Sequence, residues 1–142
     1  MKRMTNTMMT AAAVLMLGAG VASAQTTLKA EIPFAFSVAG KVTEPGTYQV
    51  RSLRGSSSTA SFAIRNTATG RTYLLVPNYH SDAPKGWTSS GTPRVAFDCS
   101  TGACALRKIW FGEGSTYEFS GPRTKSGEMQ LTEIRLTSPK GD

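Results

Sequence analysis

The residues best suited to chemistry in this chain are two cysteines, one histidine and a few carboxylates. Cys99 and Cys104 bracket Ser100-Thr101-Gly102-Ala103. Across a turn of that length, a hairpin brings two β-carbons within reach of a disulfide. Closing so small a loop restricts the unfolded chain by about 2 kcal/mol on the entropic account. A catalytic dithiol has two residues between its sulfurs and opens a helix, and neither condition holds here. A metal centre would need further cysteine or histidine ligands nearby, so no metal is expected. The spacing points to a structural disulfide.

His80 is the single histidine, with Asp82 two residues on to orient an imidazole for general acid–base work. No Gly-x-Ser-x-Gly elbow supplies a nucleophile, and a disulfide would consume both thiols. No catalytic residue is therefore assigned, and a hydrolase built on His80 and a carboxylate is kept as an alternative. Glu113, Glu118, Glu128 and Glu133 fall in the last third of the chain, where two carboxylates flanking a bond would be needed for glycosidase chemistry. Scattered surface acids account for them equally well. Gly112-Glu113-Gly114-Ser115 has the glycine content of a phosphate loop but no helix behind it, so it reads as a turn.

Aromatic residues give the better binding hypothesis. Tyr79 and Trp87 lie in the stretch 78–92, away from any alternating strand, and with His80 form the candidate ligand-binding set, a stacking platform for sugars or apolar ligands. The competing reading is that this loop packs onto a sheet. Stretches this long without periodicity are uncommon in small domains and are often functional.

These residues need a scaffold, and its pattern is β. Ala30, Ile32, Phe34, Phe36 and Val38 alternate with more polar neighbours, a period of two that buries one face. Pro33 cannot donate to a ladder, which places this first strand at an edge. Ala39-Gly40-Lys41 ends it, Pro45-Gly46 has the signature of a type II turn, and a second strand runs over 47–53. Gly55-Ser56-Ser57-Ser58-Thr59 reads as a flexible connection. Ala60, Phe62 and Ile64 then pair, across a turn at 66–70, with a strand over 71–76 that Pro77 stops.

The central hairpin spans 94–111. Placing Cys99 opposite Cys104 sets Phe97 against Leu106, Val95 against Lys108 and Pro93 near Trp110. The other face collects Ala96, Ala105, Ile109 and Phe111, so both faces are largely apolar, as in the middle of a sandwich or barrel. A short strand follows over 116–119. Met129, Leu131, Ile134 and Leu136 close the chain in a strand whose alternation slips once, as at a bulge. Nothing after residue 24 has helical periodicity. The expected fold is all-β: a single antiparallel β-sandwich or barrel of six to eight strands over residues 25–142.

Residues 1–24 read as a signal peptide rather than fold. Lys2 and Arg3 precede an uncharged apolar run over 11–21, and Ala22-Ser23-Ala24 offers the small residues a signal peptidase requires. The run is shorter than the roughly 20 apolar residues that span a bilayer. The strands are short and the end of the chain lacks a closing aromatic, so an outer-membrane barrel is a poor fit. The formal charge is +7, and residues 1–24 hold none of the nine Asp+Glu. After export, that balance suits an anionic envelope component rather than nucleic acid. Singly scattered basic residues also read simply as a solvated surface.

Ile32-Pro33-Phe34-Ala35-Phe36-Ser37-Val38, then Pro45-Gly46-Thr47-Tyr48-Gln49-Val50, and the late stretch from Leu106 to Trp110 resemble blocks of a group of small exported all-β proteins common in soil bacteria. That resemblance implies an exported β domain and no specific site residues.

The leading expectation is a periplasmic or secreted, non-enzymatic binding or assembly module without a cofactor. Its edge-like first strand would add to another sheet, of its own kind or a partner's. The main alternative is a small-ligand carrier with a barrel interior and 78–92 as its lid.

Overall fold

The computed structural model describes residues 26–53, 60–100, 102–121 and 130–139. The expected signal peptide over 1–24, the serine-rich connection, Glu128 and Met129 lie outside them.

Among the described residues, eleven strands and one short helix form two packed sheets. The first sheet contains β1 (Thr27–Ile32), β4 (Gly46–Leu53), β5 (Ser61–Asn66) and β6 (Thr72–Leu75), in the order β1-β4-β5-β6, all antiparallel. The second contains β7 (Tyr79–Ser81), β8 (Arg94–Asp98), β9 (Cys104–Trp110), β10 (Thr116–Glu118) and β11 (Leu131–Arg135), in the order β11-β8-β9-β10-β7. A small hairpin of β2 (Phe36–Val38) and β3 (Lys41–Thr43) joins the second sheet where β2 runs parallel to the start of β9. The sheets do not close on each other, so the architecture is a sandwich rather than a barrel.

The core lies between the sheets. Tyr48, Phe36, Phe62, Phe97, Ile32, Ile64, Ile109, Val50 and Val95 are almost fully buried. Phe36 packs edge-on against Tyr48 and Phe97 at centroid distances of 5.0 Å each, the arrangement that ring quadrupoles favour. The space a barrel-type carrier would keep open is filled by these rings.

The apolar set Ala30, Ile32, Phe36 and Val38 does face inward. It does not belong to one strand. β1 ends at Ile32, and the chain crosses at Pro33–Ala35 to the opposite sheet, where it resumes as β2. Pro33 has no N–H to continue the ladder. Because the core lies between the sheets, both halves keep their alternate residues pointing into it.

One turn and one register also differ from expectation. Gly46 is the first residue of β4 and does not have a positive φ, so Pro45-Gly46 is not a type II turn. Positive φ occurs instead at Ala39 (51°) and Gly40 (75°), the two-residue tip of the β2–β3 hairpin. In the central hairpin, Phe97 faces Leu106 as expected, but a bulge between Ala96 and Phe97 shifts the rest. Val95 therefore faces Ile109, and Arg94 faces Trp110. The β8–β11 ladder runs without interruption over 131–135, so the last strand has no bulge there: Leu131 lies on the outer face, opposite Asp98, while Ile134 lies opposite Val95.

Both faces of β8–β9 are covered. Val95, Phe97, Leu106 and Ile109 enter the main core, while Ala96 and Trp110 form a second cluster on the outer side. That cluster is roofed by the helix α1 (Lys85–Ser90), which contributes Trp87. The helix was not legible from periodicity because it is six residues long. It starts after Pro84 and ends at Gly91, whose φ of 64° lets the chain turn back.

Candidate functional site

The cysteine pair lies at disulfide distance, Cys99 and Cys104 sulfurs 2.11 Å apart. Beside it, Asp98 is buried and makes the polar contacts that shape the hairpin tip. Its Oδ1 accepts the Ser100 N–H at 3.0 Å and the Ser100 hydroxyl at 2.6 Å, and its Oδ2 lies 3.5 Å from Arg107 Nη2. Burial alone would raise the Asp98 carboxyl; the bonds from Ser100 and the Arg107 guanidinium overcome it and hold the group below the usual carboxylate range.

The structure separates Trp87 from Tyr79 and His80. Tyr79 and His80 are neighbours on β7, so their side chains leave opposite faces of the sheet. Both are exposed, Tyr79 at 60%. Trp87 is not a stacking platform. It is 3% exposed, its ring lies 6.2 Å from that of Trp110, and its Nε1 donates to Glu133 Oε1 at 2.8 Å. Glu133 Oε2 accepts from Arg94 at 2.8 Å, so one carboxylate pins α1 to β8 and β11. The reason is apolar area: an indole over Ala96 and Trp110 removes more surface from water than an exposed one.

Two of the carboxylates considered for catalysis, Glu118 and Glu133, have structural partners. Glu118 Oε2 accepts the Ser81 hydroxyl at 2.7 Å, and its Oε1 lies 3.4 Å from Lys108 Nζ. Neither His80 nor Asp82 has a side-chain hydrogen bond among the described residues, and no group of three or more His, Cys, Asp or Glu among them is placed to hold a metal ion.

What the structure does bring together lies along one side of the sandwich, where β6 of the first sheet stands beside β7 of the second. A groove of 480 Å³ runs there, lined by Val38 and Gly40 of the β2–β3 hairpin, Leu74 and Val76, Leu106 and Phe119. It exists because β9 is paired by β2 at Cys104–Ala105 and by β10 only at Lys108–Ile109, so the sheet forks between them. A second cleft of 440 Å³ continues past Asn78 to Tyr79, His80 and Tyr117. Asn78 fixes the crossing, its N–H donating to Glu118 O at 2.9 Å and its Oδ1 accepting the Ser120 N–H at 2.6 Å.

Among the described residues, β6 is the free edge of this side. Asn66 N–H donates to Arg71 O at 2.9 Å, which makes that pair a hydrogen-bonded one. Alternation along the ladder then turns the backbone N–H and C=O of Thr72 and Leu74 away from β5, and Val76 continues the series. Leu74 and Val76 also carry exposed side chains, 68% and 61%. Other edges are blunted: β1 carries Lys29 and Glu31, β11 carries Glu133 and Arg135, β3 carries Lys41, and β7 is three residues long. β6 has neither charge nor brevity of that degree, although such devices are how sheet edges avoid pairing.

β1, the edge expected to dock, is bridged at its middle by the segment after β11: Lys29 and Thr137 exchange backbone hydrogen bonds at 2.7 and 2.9 Å. Sequence reasoning missed Leu74 and Val76 because it treated 71–76 only as a partner strand. The signal was there: Leu74-Leu75-Val76 is an unbroken apolar run where a half-buried strand should alternate.

Compared with protein-family models, curated proteins and solved structures, the chain has no match.

Proposed function

We propose that this chain is an exported, non-enzymatic β-sandwich module that assembles with a second copy of itself through the β6 edge. The observation that carries the reading is the coincidence at Thr72, Leu74 and Val76 of outward backbone groups and exposed, uncharged side chains. A two-fold axis through Leu74 sets Leu74 against its counterpart and Thr72 against Val76. Each such pair is free of like-charge repulsion and contributes cross-strand packing. The two first sheets then run on as one, with main-chain hydrogen bonds giving affinity, as in strand addition generally.

Export is supported by the charged-then-apolar pattern of residues 1–24, by the paired cysteines, which suit an oxidising compartment, and by the resemblance to small exported β proteins. No helix among the described residues is long and apolar enough to cross a membrane. A periplasmic or secreted location follows from the same reading. The non-enzymatic assignment is supported by Glu118 and Glu133 each being committed to a structural bond, and by His80 having no carboxylate bonded to it among the described residues.

Sedimentation velocity across a broad concentration range tests the proposal. The expected result is a dimer that dissociates on dilution, and a monomer at every concentration for Leu74→Lys with an unchanged circular dichroism spectrum. A wild-type chain that stays monomeric throughout, or a Leu74→Lys variant that associates like wild type, overturns it.

A further inference from the structure

The solvent-facing side of the first sheet carries a second feature, centred on β4 and β5. Outward positions on β4 and β5 hold Gln49, Arg51, Ala63 and Arg65, with Thr27 and Thr72 on the flanking strands. Register sets Arg51 opposite Ala63 and Gln49 opposite Arg65, so the two arginines are diagonal neighbours across the β4–β5 pair. These groups enclose a depression of 260 Å³. Ala63 is only 3% exposed although it lies on the outer face, because longer side chains stand around it. Gly70 lines one end, with the Arg65 guanidinium beside it.

The charge in this depression is unbalanced. Arg51, Arg65 and the adjacent Arg71 have no carboxylate within ion-pair distance among the described residues, whereas Lys29, Arg94, Arg107 and Lys108 each do. The one acid on the strands of this sheet, Glu31, is 3.4 Å from Lys29. Two like charges held on one face repel each other unless an anion lies between them. Guanidinium groups present paired donors that match the edge of an oxyanion, and the Gln49 amide and threonine hydroxyls add neutral donors.

We propose that Arg51 and Arg65 form a binding site for a phosphate-class oxyanion on the outer face of the first sheet. The same group occurs as the free ion and in the head group of an anionic envelope lipid. Both guanidinium groups would engage one phosphate, with Gln49 and Thr72 completing its hydrogen bonds. Apart from Thr72 the site lies on β4 and β5, and Leu74→Lys, the variant that tests assembly, leaves both arginines in place, so the two proposals fail separately.

The test follows the arginine Nε–H resonances of the full exported chain during titration with inorganic phosphate and, separately, with phosphatidylglycerol vesicles against phosphatidylcholine controls. Saturable shifts confined to Arg51 and Arg65 are expected. Arg51→Gln and Arg65→Gln should each weaken the interaction by about tenfold, the loss of a charge-assisted bond pair. Arg135→Gln, at an exposed arginine on β11, should leave it unchanged. Saturation by inorganic phosphate alone identifies the free ion as ligand, and tighter binding to the anionic vesicles identifies the lipid. Uniform, non-saturating shifts at every exposed arginine, or an Arg135→Gln effect equal to that of Arg51→Gln, overturns the proposal.

Discussion

Lys29 and Thr137 bond to each other in both directions, Lys29 N–H to Thr137 O at 2.7 Å and Thr137 N–H to Lys29 O at 2.9 Å. The residue before Thr137 is just as informative: Leu136 is 2% exposed and its N–H donates to Pro93 O, beside the second sheet. Two consecutive residues thus join opposite sheets and close one side of the sandwich. Among the described residues, the other side, along β6, has no such fastening. Thr137→Pro removes one of the two bonds, and it should cost about 1 kcal/mol. Faster amide exchange at Lys29, with Val50 and Ile64 still protected, is the expected pattern; unchanged exchange at Lys29 contradicts the account of this closure.

Tyr48 is the polar centre of an otherwise apolar core. Its ring is fully buried and its hydroxyl donates to Glu44 O, meets Thr43 Oγ1 at 2.7 Å and accepts from Asn66 Nδ2 at 3.2 Å. Asn66 in turn caps the β5–β6 turn, accepting from Ala68 N–H at 2.9 Å and Thr69 N–H at 3.1 Å. Tyr48→Phe strands two buried groups and should cost about 2 kcal/mol in urea unfolding. A variant as stable as wild type would show that this network contributes nothing.

Asp98 should give the fold a titratable acid limb. Its carboxyl is held below 3.8 in the folded chain, so its contribution is fully present above the unfolded value and is lost as pH falls through the lower folded one. Asp98→Asn keeps the shape but weakens the bonds to Ser100 and leaves Arg107 without this charge. It should be less stable than wild type by about 2 kcal/mol at neutral pH. The two curves should converge in strong acid, where wild-type Asp98 is itself protonated. A constant gap at all pH values contradicts the assignment.

The inward faces of β1, β2, β4 and β5 could be read from the sequence because burial follows a period of two, as at Phe62 and Ile64 or Tyr48 and Val50. The disulfide spacing was equally legible, since hairpin geometry is local. Which sheet a segment joins was not. Ala30 and Phe36 share one alternation yet lie in different sheets, and only pairing partners far along the chain decide that. Trp87 was misread for a related reason: six helical residues give too short a pattern, and the cluster that buries the indole comes from β8 and β9. Arg51 and Arg65 are unremarkable fourteen positions apart until the β4–β5 register sets them on one face.

The β6 edge is tested most directly by covalent capture across its two-fold axis. In an antiparallel pair centred on Leu74, the outward-facing residue meets its own copy at about 5.5 Å between Cα atoms, within the span of a disulfide. Leu74→Cys should therefore crosslink into a dimer under mild oxidation. Val42→Cys, on β3 and even more exposed at 78%, should remain monomeric. Rapid dimer formation by Leu74→Cys alone is the predicted result; no crosslink at that position, or equal rates at both, contradicts assembly through β6.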